Sequence, residues 1–143
     1  MNTYSIVLEV YGVAAVTCFG ETPSKAKYNI YLERGDAYET FQDFLQAVLS
    51  IRLIHKFKPS DLFGDIERFE RMKNYRNIPF AFMGMKVNFK SHRGLMKGII
   101  VGANDSLNLD ICFEGTSHKE NCHPHYNLIY LDNLGKIIKE YNE

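Results

Sequence analysis

Apolar positions in the first part of the chain alternate and then change period. From Ser5 to Val10 the residues Ile6, Leu8 and Val10 share one face, Gly12 offers a break, and Val13 to Phe19 is a second β-prone run. A period of two marks a half-buried strand, so the pair predicts a β-hairpin or one long bent strand. Thr22 is a helix N-cap and Pro23 suits the first helical position, which predicts a helix from Pro23 to Arg34 with Gly35 as its stop. Asp36 and Glu39 form a D-x-x-E start signal, a variant of the capping box, ahead of the strongest helical period in the chain. That period is carried by Phe41, Phe44, Leu45, Val48 and Leu49. Ile51, Leu53, His55 and Phe57 then alternate with Arg52 and Lys56 as a half-buried strand, which makes His55 a core histidine. Pro59-Ser60-Asp61 ends that strand, and Asp65 to Tyr75 reads as a charged helix anchored by Ile66, Phe69 and Met72.

Past Asn77-Ile78-Pro79 the helical period stops. Lys86 to Phe89, Gly98 to Val101, Leu107 to Phe113, Tyr126 to Leu131 and Ile137 to Tyr141 are short β-prone runs separated by Gly, Asn, Asp and Ser. Asp132-Asn133-Leu134-Gly135 is a hairpin turn between the last two. The pattern predicts an α+β protein of two subdomains: a β-hairpin plus helices over residues 1–78, and a five-stranded small β-barrel over 80–143. Closing the barrel removes exposed strand edges. So short a barrel buries little alone, and the two parts are expected to share an interface.

Composition narrows the function classes. The 143 residues carry 17 Lys+Arg and 17 Asp+Glu, and hydrophobic residues make up 45%. Disorder throughout does not fit that apolar content, and a generally basic nucleic-acid coat does not fit that charge balance. Glu9 interrupts the first apolar run and no basic segment precedes it, so no signal peptide is expected, nor a membrane span. Cys18, Cys112 and Cys122 are an odd number without framework spacing, which points to free thiols in a reducing cytoplasm. Cys18 lies in an apolar segment and reads as a small core residue.

The order Gly84-Met85-Lys86-Val87, a polar loop, Gly98-Ile99-Ile100-Val101-Gly102 and Asn108 to Phe113 resembles an SH3-like barrel of the KOW or Tudor kind. The resemblance implies a binding module that works through its loops, here residues 90–97, 103–106 and 115–125. Gly20-Glu21-Thr22-Pro23-Ser24-Lys25-Ala26-Lys27-Tyr28, together with Asn121-Cys122-His123-Pro124-His125, is similar to small proteins of phage and mobile elements. That likeness implies a context and no particular reaction.

Two constellations carry candidate chemistry. His118, His123 and His125, with Asp110 and Cys112 one strand earlier, are residue types that bind zinc. In an extended segment His123 and His125 point to one side, and Asp110 and Cys112 would face away from Leu109, Ile111 and Phe113. The competing reading is a loop whose polar side chains bond to backbone and cap the barrel. Cys122 and His123 are adjacent and point apart, which removes them as a nucleophile–base pair, while Cys122 with His118 or His125 stays geometrically open. The second constellation is Lys86, Lys90, His92, Arg93 and Lys97, with no acid between 86 and 97. Beside exposed aromatics such as Phe89 or Tyr126, it would form a phosphate-contacting face. Arg68, Arg71, Lys73 and Arg76 make another basic group, offset by Glu67 and Glu70. Lys25 and Lys27 follow a glycine at a helix start, but neither phosphate-loop spacing is present and they read as an ordinary capped surface helix. The sequence therefore predicts a non-enzymatic binding or adaptor protein, without cofactor, whose partner is a protein or a nucleic acid. The alternative is a zinc-binding protein or metal-dependent hydrolase centred on His118, His123 and His125.

Overall fold

The computed structural model describes residues 1–9, 12–34 and 38–142. Val10, Gly35 and Asp36, and with them the expected helix stop and D-x-x-E pair, lie outside the described residues. Among the described residues three α-helices and nine β-strands form two antiparallel sheets, so the protein is α+β. None of these helices is long and apolar enough to cross a membrane. The chain divides into two compact units, Met1–Phe57 and Lys58–Glu143.

In the first unit, β1 (Asn2–Glu9) and β2 (Val13–Gly20) are the expected hairpin, paired from Asn2↔Gly20 to Glu9↔Val13. A third strand, β3 (Val48–His55), lies along the other side of β1. Tyr4, Ile6 and Leu8 point to one face of the central strand and are buried with Cys18, Ala26, Ile30 and Phe44. The last three of these partners come from α1 (Pro23–Arg34) and α2 (Phe41–Ala47), whose apolar stripes cover that face. Thr22 Oγ1 accepts from the Lys25 N–H at 3.2 Å and caps α1 as expected. Thr40 caps α2 in the same way, accepting from the Asp43 N–H at 3.1 Å.

Helix α2 stops before the apolar period does. Val48 leaves the helix to pair with Leu8, and Ser50 pairs with Val7. Leu49 therefore has no partner across the ladder, and neither has Ile54, between the pairs Leu53↔Tyr4 and His55↔Thr3. At these two register irregularities both apolar extras are about half exposed. His55 is exposed as well, so it is not the core histidine that strand alternation suggested.

In the second unit, α3 (Ile66–Arg76) starts at Asp65, whose side chain accepts from the Glu67 N–H at 3.0 Å. It ends at Asn77, a left-handed residue with φ 55°. Ile78 then turns into the core with Phe69 and Met72. The break that the sequence places at 78–80 is thus a helix cap and a core anchor within this unit. The sheet is built from β4 (Lys86–Ser91), β5 (Gly94–Ala103), β6 (Leu109–Phe113), β7 (Glu120–Cys122), β8 (Leu128–Leu131) and β9 (Ile137–Glu140). Their order is β7-β6-β5-β4-β8-β9, an antiparallel sheet of six strands with β7 and β9 outermost, rather than a closed barrel of five. The added strand is β7, which lies in the polar His-rich stretch and is held by pairing with β6. Val87, Ile100, Leu109, Ile111, Leu128 and Tyr130 form the sheet side of the core, and Phe69 and Met72 of α3 pack against them.

Candidate functional site

The centre of the six-stranded sheet is the β4–β5 hairpin. Its turn is closed by Ser91, whose Oγ donates to the Gly94 carbonyl at 2.8 Å and accepts from the Arg93 N–H at 3.2 Å. Gly94 has φ 109°, a conformation that only glycine adopts without strain, so the turn is tight and puts His92 and Arg93 at the tip. Register then fixes the faces. Val87 and Phe89 point into the core, and Lys86, Asn88 and Lys90 point away from it. Across the ladder Lys86 faces Ile99, Asn88 faces Lys97 and Lys90 faces Leu95. Directly opposed residues share a face. Lys86, Lys90 and Lys97 therefore lie together on the outer face, with Asn88 among them and Arg93 at the end.

Two details differ from the sequence expectation. Phe89 is not exposed beside these cations: it packs against Phe113 with ring centroids 6.3 Å apart, whereas Tyr126 is exposed. Lys90 is not a free cation either. Its Nζ lies 3.4 Å from Glu140 Oε1 and also meets Asn142 Oδ1. Asn88 was legible as the outward position between two lysines. Glu140 and Asn142 were not, because β8 and β9 carry them to β4 from fifty residues away.

The five residues read as metal ligands are engaged by other groups of the protein. His123 and His125 are together, with ring centroids 5.6 Å apart, but both are engaged by Arg76. His125 Nε2 lies 2.7 Å from the Arg76 carbonyl, and its ring stacks on Tyr141 at 4.7 Å. His123 Nδ1 accepts from the His125 N–H at 3.0 Å, while its Nε2 lies 3.3 Å from Arg76 Nη1. Both ring nitrogens thus face N–H donors, and a neutral imidazole can accept at only one of them. Partial burial, the Arg76 charge and His125 all hold the His123 pKa below its usual 6.5. His118 Nε2 pairs with Glu120 at 3.2 Å. Asp110 is buried, accepts from Asn104 Nδ2 at 3.1 Å and has Lys119 Nζ at 3.8 Å. Cys112 is buried and its Sγ points at the Thr116 carbonyl, 3.6 Å away. Among the described residues no group of three or more His, Cys, Asp or Glu side chains is placed to hold a metal ion.

The remaining candidates are structural in their contacts. Arg76 Nε donates to the Leu107 carbonyl at 2.8 Å and Nη2 donates to Asn108 Oδ1 at 2.7 Å, so this cation pins a turn. Arg68 pairs with Asp105 at 3.2 Å and Lys73 with Glu70 at 3.5 Å. Burial, then Glu120 and Asp110, push the Cys122 thiol up to about 11, which keeps it protonated and poorly nucleophilic at neutral pH. The Lys25 N–H at the start of α1 is already capped by Thr22. Compared with protein-family models, curated proteins and solved structures, the chain matches none.

Proposed function

We propose that the protein is a non-enzymatic binding module that contacts nucleic-acid phosphates through the outer face of the β4–β5 hairpin. The observation that carries this reading is the register: Lys86, Lys90 and Lys97 share one face with Asn88, Arg93 ends it, and neither strand contributes an acid. Aligned cations on a rigid hairpin release counterions when phosphates replace them, which gives affinity without reading sequence. With Phe89 turned inward, that strand offers no aromatic of its own for base stacking, and the lysines' contact is to the phosphate backbone. The consecutive antiparallel pairing of β4, β5 and β6 is also what the SH3-like reading asks of its first three strands. So few cations imply weak binding, with Kd on the order of 10⁻⁴–10⁻⁶ M.

The test is a titration of a labelled mixed-sequence DNA oligonucleotide at low salt, with wild type and the Lys86→Gln/Lys97→Gln variant. The reading requires binding by wild type and a weakening of about tenfold or more in the variant, with little dependence on oligonucleotide sequence. Wild-type binding that the two substitutions leave unchanged would place the contact elsewhere.

A further inference from the structure

The outer face that holds the lysines also holds carboxylates: Glu114 follows β6 opposite Lys97, its N–H donating to the Lys97 carbonyl at 2.9 Å, and Glu140 is the one that reaches Lys90. Asn88 of β4 pairs with Ile129 of β8, and Ile129 pairs with Glu140 of β9. Partners in register share a face, so Glu140 stands two strands over on the same side of the sheet as Lys86, Lys90 and Lys97. From there its Oε1 reaches Lys90 Nζ at 3.4 Å, and the Asn142 amide oxygen joins it two residues later. The two oxygens surround the ammonium much as phosphate oxygens would. Lys90 is the more covered member of this ion pair, with a side-chain exposure of 26% against 43% for Glu140.

We propose that Glu140 and Asn142 are an internal competitor for the phosphate site: they occupy Lys90 until a nucleic-acid phosphate displaces the carboxylate. This rests on the reading of the hairpin as a phosphate-contacting face. Displacement exchanges one charge-assisted contact for another, and the like charges of Glu140 and the incoming phosphate set the penalty. The device lowers affinity on a face that would otherwise carry its full set of cations.

Glu140→Gln keeps the shape and an acceptor oxygen while removing the charge. Titrated against the same labelled oligonucleotide, it is expected to bind about two- to fivefold more tightly than wild type, the size of an exposed ion pair. The slope of log K against log salt is expected to steepen by about 0.7–0.9, one additional phosphate contact. Both gains are expected to vanish in the Lys90→Gln background, since a double-mutant cycle separates the pair from a general change in net charge. A Glu140→Gln protein that binds like wild type, or a gain that persists in the Lys90→Gln background, would overturn the competitor. Absence of binding by wild type and Glu140→Gln alike would instead overturn the hairpin reading, and the competitor with it.

Discussion

Arg76 sits in the last turn of α3, where a cation also complements the helix dipole. Its guanidinium reaches Leu107, Asn108 and His123, and its carbonyl meets the His125 ring, so one residue fastens the 104–108 turn and the His-rich loop to the helix. Arg76→Ala leaves several of these acceptors without a donor and is expected to lower unfolding stability by about 1–3 kcal/mol, read by urea denaturation. His123 adds a pH dependence with a definite sign. Its pKa is depressed in the folded protein, so the folded state binds fewer protons than the unfolded one as pH falls below the usual 6.5. Its contribution is complete above 6.5 and is lost as pH drops toward the folded value. Melting temperature should therefore decline between about pH 7 and pH 5 in wild type, and His123→Gln should decline less over the same range. An equal decline in the two proteins would remove His123 from the account.

At the scale of elements, close approach constrains two glycines. A Cβ at Gly20 would come within 2.5 Å of the Ala26 nitrogen and 2.8 Å of its Cα, both backbone atoms of α1. Gly20→Ala must push the helix off the sheet and is expected to cost about 1–3 kcal/mol, measured by the same denaturation. A Cβ at Gly98 would meet side chains instead, Ile111 Cγ2 at 2.7 Å and Phe113 Cδ1 at 3.0 Å, so there it is core side chains of β6 that must shift. Where an element is dictated by local chemistry, the sequence was a good guide. Thr22-Pro23 started α1 where it begins, and Asp132 does hold the last turn, accepting from the Leu134 and Lys136 N–H groups at 2.8 Å. Where a distant strand decides, the sequence misled. The apolar period ran through Val48 and Leu49, but pairing with β1 pulled both into β3. Glu120-Asn121-Cys122 has no strand pattern at all and becomes β7 only because β6 offers it an edge. The basic residues of the hairpin were visible as a cluster, while their common face depended on register that a single strand does not disclose.

At the scale of the molecule, 17 positive and 17 negative charges cancel, yet pairing separates them locally. The balance does not prevent a basic face, because β4 and β5 bring cations from both sides of a turn onto one surface. Acidic counterweights stand on that surface too: Glu140, supplied by a strand at the edge of the same sheet, and Glu114, opposite Lys97. The His-rich segment, by contrast, is a set of fastenings: Tyr130 donates its hydroxyl to the Pro124 carbonyl at 2.7 Å inside the core, and His125 is held between Arg76 and Tyr141. The central claim is that the hairpin face binds phosphates, and its most direct test is the salt dependence of oligonucleotide affinity. Between about 50 and 200 mM salt, wild type should lose affinity with a log–log slope of about −2 to −3, and Lys86→Gln/Lys97→Gln should flatten that slope by about 1.5. A slope near zero in wild type, or an unchanged slope in the variant, would contradict it.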